Sequence, residues 1–228
     1  MADMNKLLGQ LLGSGAASGF AGGLAGGLAG NLLSSKSGRK LGKSALKWGG
    51  VAAVGALAYT AYQRYSSGKT APTADNSAGF GAPAPGSELT PAPLGTSFMP
   101  EENDQAANDA LGLILVRAMI AASRSDGRLD AQESQAIFQR IESLGLDHET
   151  QSLLVSEMGQ PVDVDALVNS ATSVEVAAEI YAASLLAIEV DHPAERSYLS
   201  MLAMRLQLPQ ELAKEIEQQV ENQKRLAQ

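Results

Sequence analysis

The chain has 228 residues, of which 45% are hydrophobic and 4% aromatic, and it contains no cysteine. That length holds one ordinary domain plus a further segment, and the lack of cysteine excludes disulfides and thiolate metal sites. The net charge of −8 hides a division: residues 1–70 carry eight Lys/Arg and one acid, +7, whereas residues 71–228 carry nine Lys/Arg and 24 acids, −15. A basic beginning points toward an anionic surface, and an acidic remainder turns away from nucleic acid.

Residues 7–35 carry no charge and include nine glycines. Gly15, Gly19, Gly23 and Gly27 stand four apart, as do Gly22, Gly26 and Gly30, which places each set on one helix face. In water such a tract melts, because each glycine costs up to about 1 kcal/mol relative to alanine. In lipid the backbone must satisfy its own hydrogen bonds and helix is enforced. Glycine stripes then admit a second helix at close range. The tract is therefore read as a packed membrane helix, with a flexible glycine-rich tail as the alternative. Residues 36–47 follow with five positive charges and no acid.

A second uncharged stretch, residues 48–63, has Trp48 at one end and Tyr62 and Tyr65 at the other, the arrangement of interfacial anchors. At 1.5 Å per residue it reaches about 24 Å, short of the roughly 30 Å hydrocarbon core, so Lys47 and Arg64 would have to snorkel. Residues 1–65 are thus expected to form a glycine-rich basic anchor in the inner membrane of a bacterium, in contact with lipid, with self-association or a protein partner along the glycine stripes. The basic loop should stay on the cytoplasmic side, which puts the C-terminal part in the periplasm whether one or both stretches cross. Residues 66–100, with six prolines and five glycines, read as a disordered linker.

From residue 101 the pattern is helical to the end, so the expected fold class is all-α, with six or seven helices over residues 101–228. Leu111, Leu115, Ala118, Met119 and Ala122 keep the 3.6-residue period. Asp130 opens a helix bearing Ile137, Phe138, Ile141 and Leu144, and Asp147 opens one bearing Leu153, Leu154 and Met158 that Gly159 closes. Residues 161–171 suit a short helix. Thr172 with Glu175 reads as a capping box for the next helix, and Pro193 and Pro209 sit where the last two helices begin.

Two acidic turns carry the only candidate chemistry. Ser125-Asp126-Gly127-Arg128-Leu129-Asp130-Ala131-Gln132-Glu133 and Glu189-Val190-Asp191-His192-Pro193-Ala194-Glu195 each join two helices and cluster the hard oxygen ligands that Ca²⁺ or Mg²⁺ prefers. Asp126, Asp130, Glu133, Asp191 and Glu195 are the candidate metal ligands. The bland account is helix capping by Asp130 and Glu133 and a dipole contact for Glu195. The two histidines, His148 and His192, lack metal-site spacing, and no nucleophile motif is present, so no catalytic residue is assigned and no enzymatic activity is expected.

The Leu-Leu-Gly run, the Gly-Gly-Leu-Ala repeat and the Ser-Gly-Arg-Lys stretch together resemble the YebE-like bacterial inner-membrane proteins of unknown function. From about residue 105 the chain resembles the TerB-like helical domain of tellurite resistance, through Ser-Asp-Gly-Arg-Leu-Asp-Ala-Gln-Glu at 125–133 and Asp-His-Pro-Ala-Glu-Arg-Ser-Tyr-Leu at 191–199. The resemblance implies an all-α bundle with repeated halves and divalent-metal binding through the acidic turns, although His192-Pro193 stands where the second turn would repeat Asp-Gly. Two functions follow as expectations: a membrane-tethered, non-catalytic interaction or sensing module in envelope or metal stress, or a protein that binds a divalent metal ion through its helix-connecting turns.

Overall fold

The computed structural model describes residues 38–69, 89–125, 148–188, 190 and 192–227. Seven α-helices lie among them: α1 Gly38–Lys69, α2 Gln105–Ser123, α3 His148–Gly159, α4 Val164–Asn169, α5 Val174–Ala187, α6 Pro193–Arg205 and α7 Gln210–Ala227. No strand occurs among the described residues, only an isolated bridge between Thr96 and Met99. The all-helical expectation therefore holds for this part of the chain. The helix expected around Ile137 and the stretch 7–35 lie outside the described residues.

Helix α5 is the centre. Every residue from Ala177 to Ile188 is buried, so this helix is enclosed on all sides rather than along one stripe. It packs against α1, α2, α6 and α7. The abundance of alanine explains how: Ala177, Ala178, Ala182, Ala183 and Ala187 leave room for neighbouring helix backbones, while Ile180, Tyr181, Leu185 and Leu186 fill the gaps between them. Ser173 is its N-cap, its hydroxyl accepting the Val176 N–H at 3.3 Å. The expected cap at Thr172 thus moves one residue on, because it is the Ser173 hydroxyl that reaches the third backbone N–H of the helix.

Helix α1 departs most from expectation. The segment read as a second membrane span lies in the same core as the C-terminal helices: Val51, Val54, Ala56, Leu57, Ala58 and Ala61 are all buried there, against α5 and α7. The stretch read as linker also contributes. Leu89, Phe98 and Met99 are buried, the Phe98 ring meets Tyr59 and Tyr62 at 5.4 and 5.5 Å between centroids, and the Thr90 N–H donates to the Thr60 hydroxyl at 2.9 Å. Residues 89–99 form a strap across α1. The division at 65 and 101 therefore does not describe the packing. Small residues that suit helix contact in lipid suit close contact in a protein core equally well.

Helix α2 is the one described helix long and apolar enough to cross a membrane by length and composition. It is also a core helix, with Leu111, Leu115, Val116 and Met119 buried. Asp104 caps it, accepting the Ala107 N–H at 3.0 Å. Helix α7 closes the other side with the stripe Leu212, Ile216, Val220, spaced as a one-faced helix requires. Helix α6 ends in a left-handed residue, Gln207 at φ 54°, with the Leu208 N–H donating to the Ala203 carbonyl and Gln207 N–H to Met204, the paired bonds of a Schellman ending.

Candidate functional site

A cleft of about 620 Å³ opens between α2 and the segment from the end of α3 into α4. Its α2 wall is Ile114, Arg117, Ile120 and Ala121; its opposite wall includes Glu157, Pro161, Val162 and Leu167. Isoleucine, leucine and alanine line the cleft because each helix turns its apolar stripe toward its neighbour. Arg117 spans the opening and grips Glu157 in a fork, with N–H···O distances of 2.7 and 2.8 Å. The guanidinium holds the Glu157 carboxyl below its ordinary range, and the carboxylate in turn raises Arg117. Arg124 fixes the same edge, donating to the carbonyls of Met158 and Gln160 at 3.2 and 2.8 Å, where the end of α3 leaves carbonyls without helical partners. Asp163 caps α4 by accepting the Ala166 N–H at 2.8 Å, and Asp165 pairs with Arg205 of α6.

This arrangement offers an apolar floor and a self-neutralised charged rim. A cleft with such a lining has room and chemistry for an apolar side chain. Among the residues that line it, none pairs a nucleophile with a base.

Of the five candidate metal ligands, Asp126, Asp130, Glu133 and Asp191 lie outside the described residues. Glu195 is 7% exposed and its carboxylate accepts the His192 backbone N–H at 3.2 Å, the reach-back bond of a helix start. Among the described residues no group of three His, Asp or Glu side chains is placed to hold a metal ion.

Sequence reasoning passed over Glu179. This residue sits mid-way along α5, is fully buried, and has no hydrogen-bond partner for either carboxyl oxygen among the described residues. Burial pushes its carboxyl well above the ordinary carboxylate range. Its position was marked in the sequence: from Val176 to Ile188 the chain is apolar except for Glu179 and Ser184. Glu179 is the one carboxyl among the described buried groups without a partner, alongside single unpartnered atoms of Asn108, Tyr198 and Gln219; several other buried polar groups do find partners. The Ser184 hydroxyl donates to the Ile180 carbonyl at 2.9 Å, Tyr181 to Glu217 at 2.6 Å, and Asn108 to the carbonyls of Glu101 and Asp104 at 2.9 and 2.8 Å.

Comparison with known proteins gives a relationship without an activity. A family described as proteins of unknown function, DUF533, matches residues 6–220. An uncharacterized protein in the ampR 5′ region of Yersinia enterocolitica is 33% identical over 110 residues, which cover 48% of this chain and 79% of that protein. No solved structure matches significantly.

Proposed function

The chain belongs to the DUF533 family of unknown function, and within that family we propose that it is a membrane-tethered, non-catalytic interaction module. The N-terminal basic and glycine-rich segment supplies the tether, and the cleft beside α2 receives an apolar element of a protein partner. The observation that carries this reading is the Arg117–Glu157 fork over an apolar floor. Arg117 and Glu157, engaged with each other, are not themselves poised for acid–base work, while their rim position favours orientation of a docked chain. The charge division of the sequence, +7 before residue 71 and −15 after it, supports a basic end held at an anionic bilayer and an acidic body held away from it. A role in envelope or metal stress belongs to the same proposal.

The test uses a photo-crosslinking amino acid at Ile114, within the cleft, in the full chain expressed in a bacterium. The expected result is a discrete crosslinked band in carbonate-washed membranes, absent when the probe stands at Met204 and weakened by Ala121→Trp, which fills the cleft. Equal crosslinking at Met204, which is 75% exposed and elsewhere on the surface, rules out the cleft as the docking place. Release of the chain into the carbonate supernatant rules out the tether.

A further inference from the structure

Helices α1 and α5 meet at a point where a glycine faces an acid. A Cβ added to Gly55 would stand 2.8 Å from the Phe98 carbonyl oxygen, 3.1 Å from Glu179 Oε1 and 3.8 Å from the Ala92 methyl. The backbone of α1, the strap and the Glu179 carboxyl therefore share one small space, and any side chain at residue 55 would occupy it. Glu179 is 0% exposed there and unpartnered.

We propose that Glu179 is a proton-controlled latch for helix α1: α1 and its strap dock on α5 while the Glu179 carboxyl carries a proton, and loosen when it gives the proton up. A protonated carboxyl brings an O–H toward the space that holds the Phe98 carbonyl, a suitable acceptor. A carboxylate brings only acceptor oxygens, against another acceptor, in a setting without water. Burying an uncompensated charge is far more costly than burying a neutral acid. The ionised state is relieved by moving α1 and the strap aside, because the carboxyl meets them at Gly55 and the Phe98 carbonyl and their separation admits water there.

Among the described residues, the charged and titratable groups on the elements packed against α5 are engaged elsewhere. On α1, Tyr59 and Tyr62 are turned onto Phe98. On α2, Arg117 is engaged with Glu157. On α7, Glu217 accepts from Tyr181 and Lys224 donates to the Ile188 carbonyl at 2.5 Å. On α6, Glu195 accepts from His192 and Tyr198 is pushed up to about 12 by burial. The shift at Glu179 comes from burial alone, with no contribution from a charged neighbour. The latch is independent of the cleft and stands whether or not a partner binds there.

The sign follows from linkage. The folded, docked state keeps a proton that the exposed carboxyl gives up above the ordinary value of 4.5. Docking is therefore favoured below that pH and weakens as pH rises, by up to about tenfold per pH unit until the docked carboxyl itself ionises.

The experiment is hydrogen exchange of the full chain in lipid at pH 5 and pH 8, corrected for the intrinsic pH dependence of exchange. In the wild type, protection over residues 51–67 should fall at least tenfold from pH 5 to pH 8, while α6, which packs on α5 and α2, changes several-fold less. In Glu179→Gln, which cannot ionise, protection over 51–67 should change less than twofold. An unchanged wild-type α1, an equal fall in Glu179→Gln, or a parallel fall across all helices overturns the latch. Glu179→Met serves in place of the glutamine variant if that fails to fold. If both fail, ¹³C titration of the Glu179 carboxyl in the wild type decides: midpoint near the ordinary 4.5 overturns the proposal, and a protonated carboxyl persisting above it, with α1 protection lost as it titrates, supports it.

Discussion

Replacing Gly55 by alanine separates two opposing effects whose sizes are known. In a helix interior, glycine to alanine normally stabilises by about 1 kcal/mol, since alanine loses less backbone entropy on folding. At Gly55 the new methyl would lie 2.8 Å from the Phe98 carbonyl oxygen and 3.1 Å from Glu179 Oε1. The first contact is to backbone, held by the buried Phe98 ring between Tyr59 and Tyr62, so it cannot yield by a simple rotamer change. Overpacking of this kind costs about 1–3 kcal/mol. The clash should win, leaving Gly55→Ala destabilised by up to about 2 kcal/mol after the propensity gain is subtracted. Gly159 supplies the control, since an added Cβ there meets nothing within 4 Å. Gly159→Ala should be neutral or stabilising by a few tenths to about 1 kcal/mol, its benefit reduced by its place at the end of α3. Urea unfolding of the two variants, followed by circular dichroism at one pH, gives the comparison. In melting temperature a separation of 2 kcal/mol corresponds to about 4–8 °C for a chain of this size. If Gly55→Ala matches or exceeds Gly159→Ala, the close approach of α1 to the strap and to Glu179 is refuted.

Other substitutions test the fold around the site. Tyr181→Phe should cost about 1 kcal/mol in urea unfolding, because it removes the 2.6 Å bond to Glu217 while Glu217, at the surface, recovers water; no loss would mean that the bond is not made in solution. Gln207→Gly should stabilise by roughly 0.5–1 kcal/mol, since Gln207 holds a φ of 54° at the end of α6 that glycine adopts without strain; a loss of stability would exclude the left-handed ending. Glu157→Gln removes a carboxylate whose range is lowered first by its bond to Arg117. The wild type should therefore exceed this variant in stability near neutral pH, and the advantage should vanish as the pH falls from 4.5 through the lowered value; an advantage that survives at low pH would contradict the ion pair as its source.

The C-terminal helices were legible because their boundaries are chemical. Pro193 and Pro209 start or precede helices where they lack only an N–H that has no partner in the first turn, and the 3.6-residue spacing of Leu111, Leu115 and Met119 marks the face that α2 buries. The role of α1 was not legible. A run such as Val51 to Ala61 is apolar, small and uncharged, and hydropathy records that it leaves water without recording what it leaves water for. The strap was hidden by composition for the same reason. Prolines and glycines between residues 66 and 100 suggest a linker, but Leu89, Phe98 and Met99 at its far end carry enough apolar surface to close a core. Of the cleft, only the helices were foreseen. The fork between Arg117 and Glu157 joins residues 40 apart in sequence, and no local pattern announces a pair brought together by the crossing of two helices.

Glu179 breaks the agreement between local sequence and global packing that the rest of α5 obeys. An apolar side chain at this position would fill a similar volume without a buried carboxyl, and replacement of buried charged groups by apolar ones is often stabilising. Positions where a chain departs from the most stable choice without a visible structural return are where function is expected to reside. The departure here is specific in place: the acid does not lie at a helix end, where capping or the dipole would explain it, but opposite Gly55, where α1 closely approaches the strap. A capping residue could be exchanged for alanine at the expense of one helix turn. Exchanging Glu179 changes how α1 is held, because the carboxyl lies in the interface and its protonation state decides whether that interface can stay dry. The basic segment that begins α1 and the packed segment that continues it belong to one helix, Gly38–Lys69, so a change in how the packed half is held is carried along the helix toward the half that bears Arg39, Lys40, Lys43 and Lys47 in sequence.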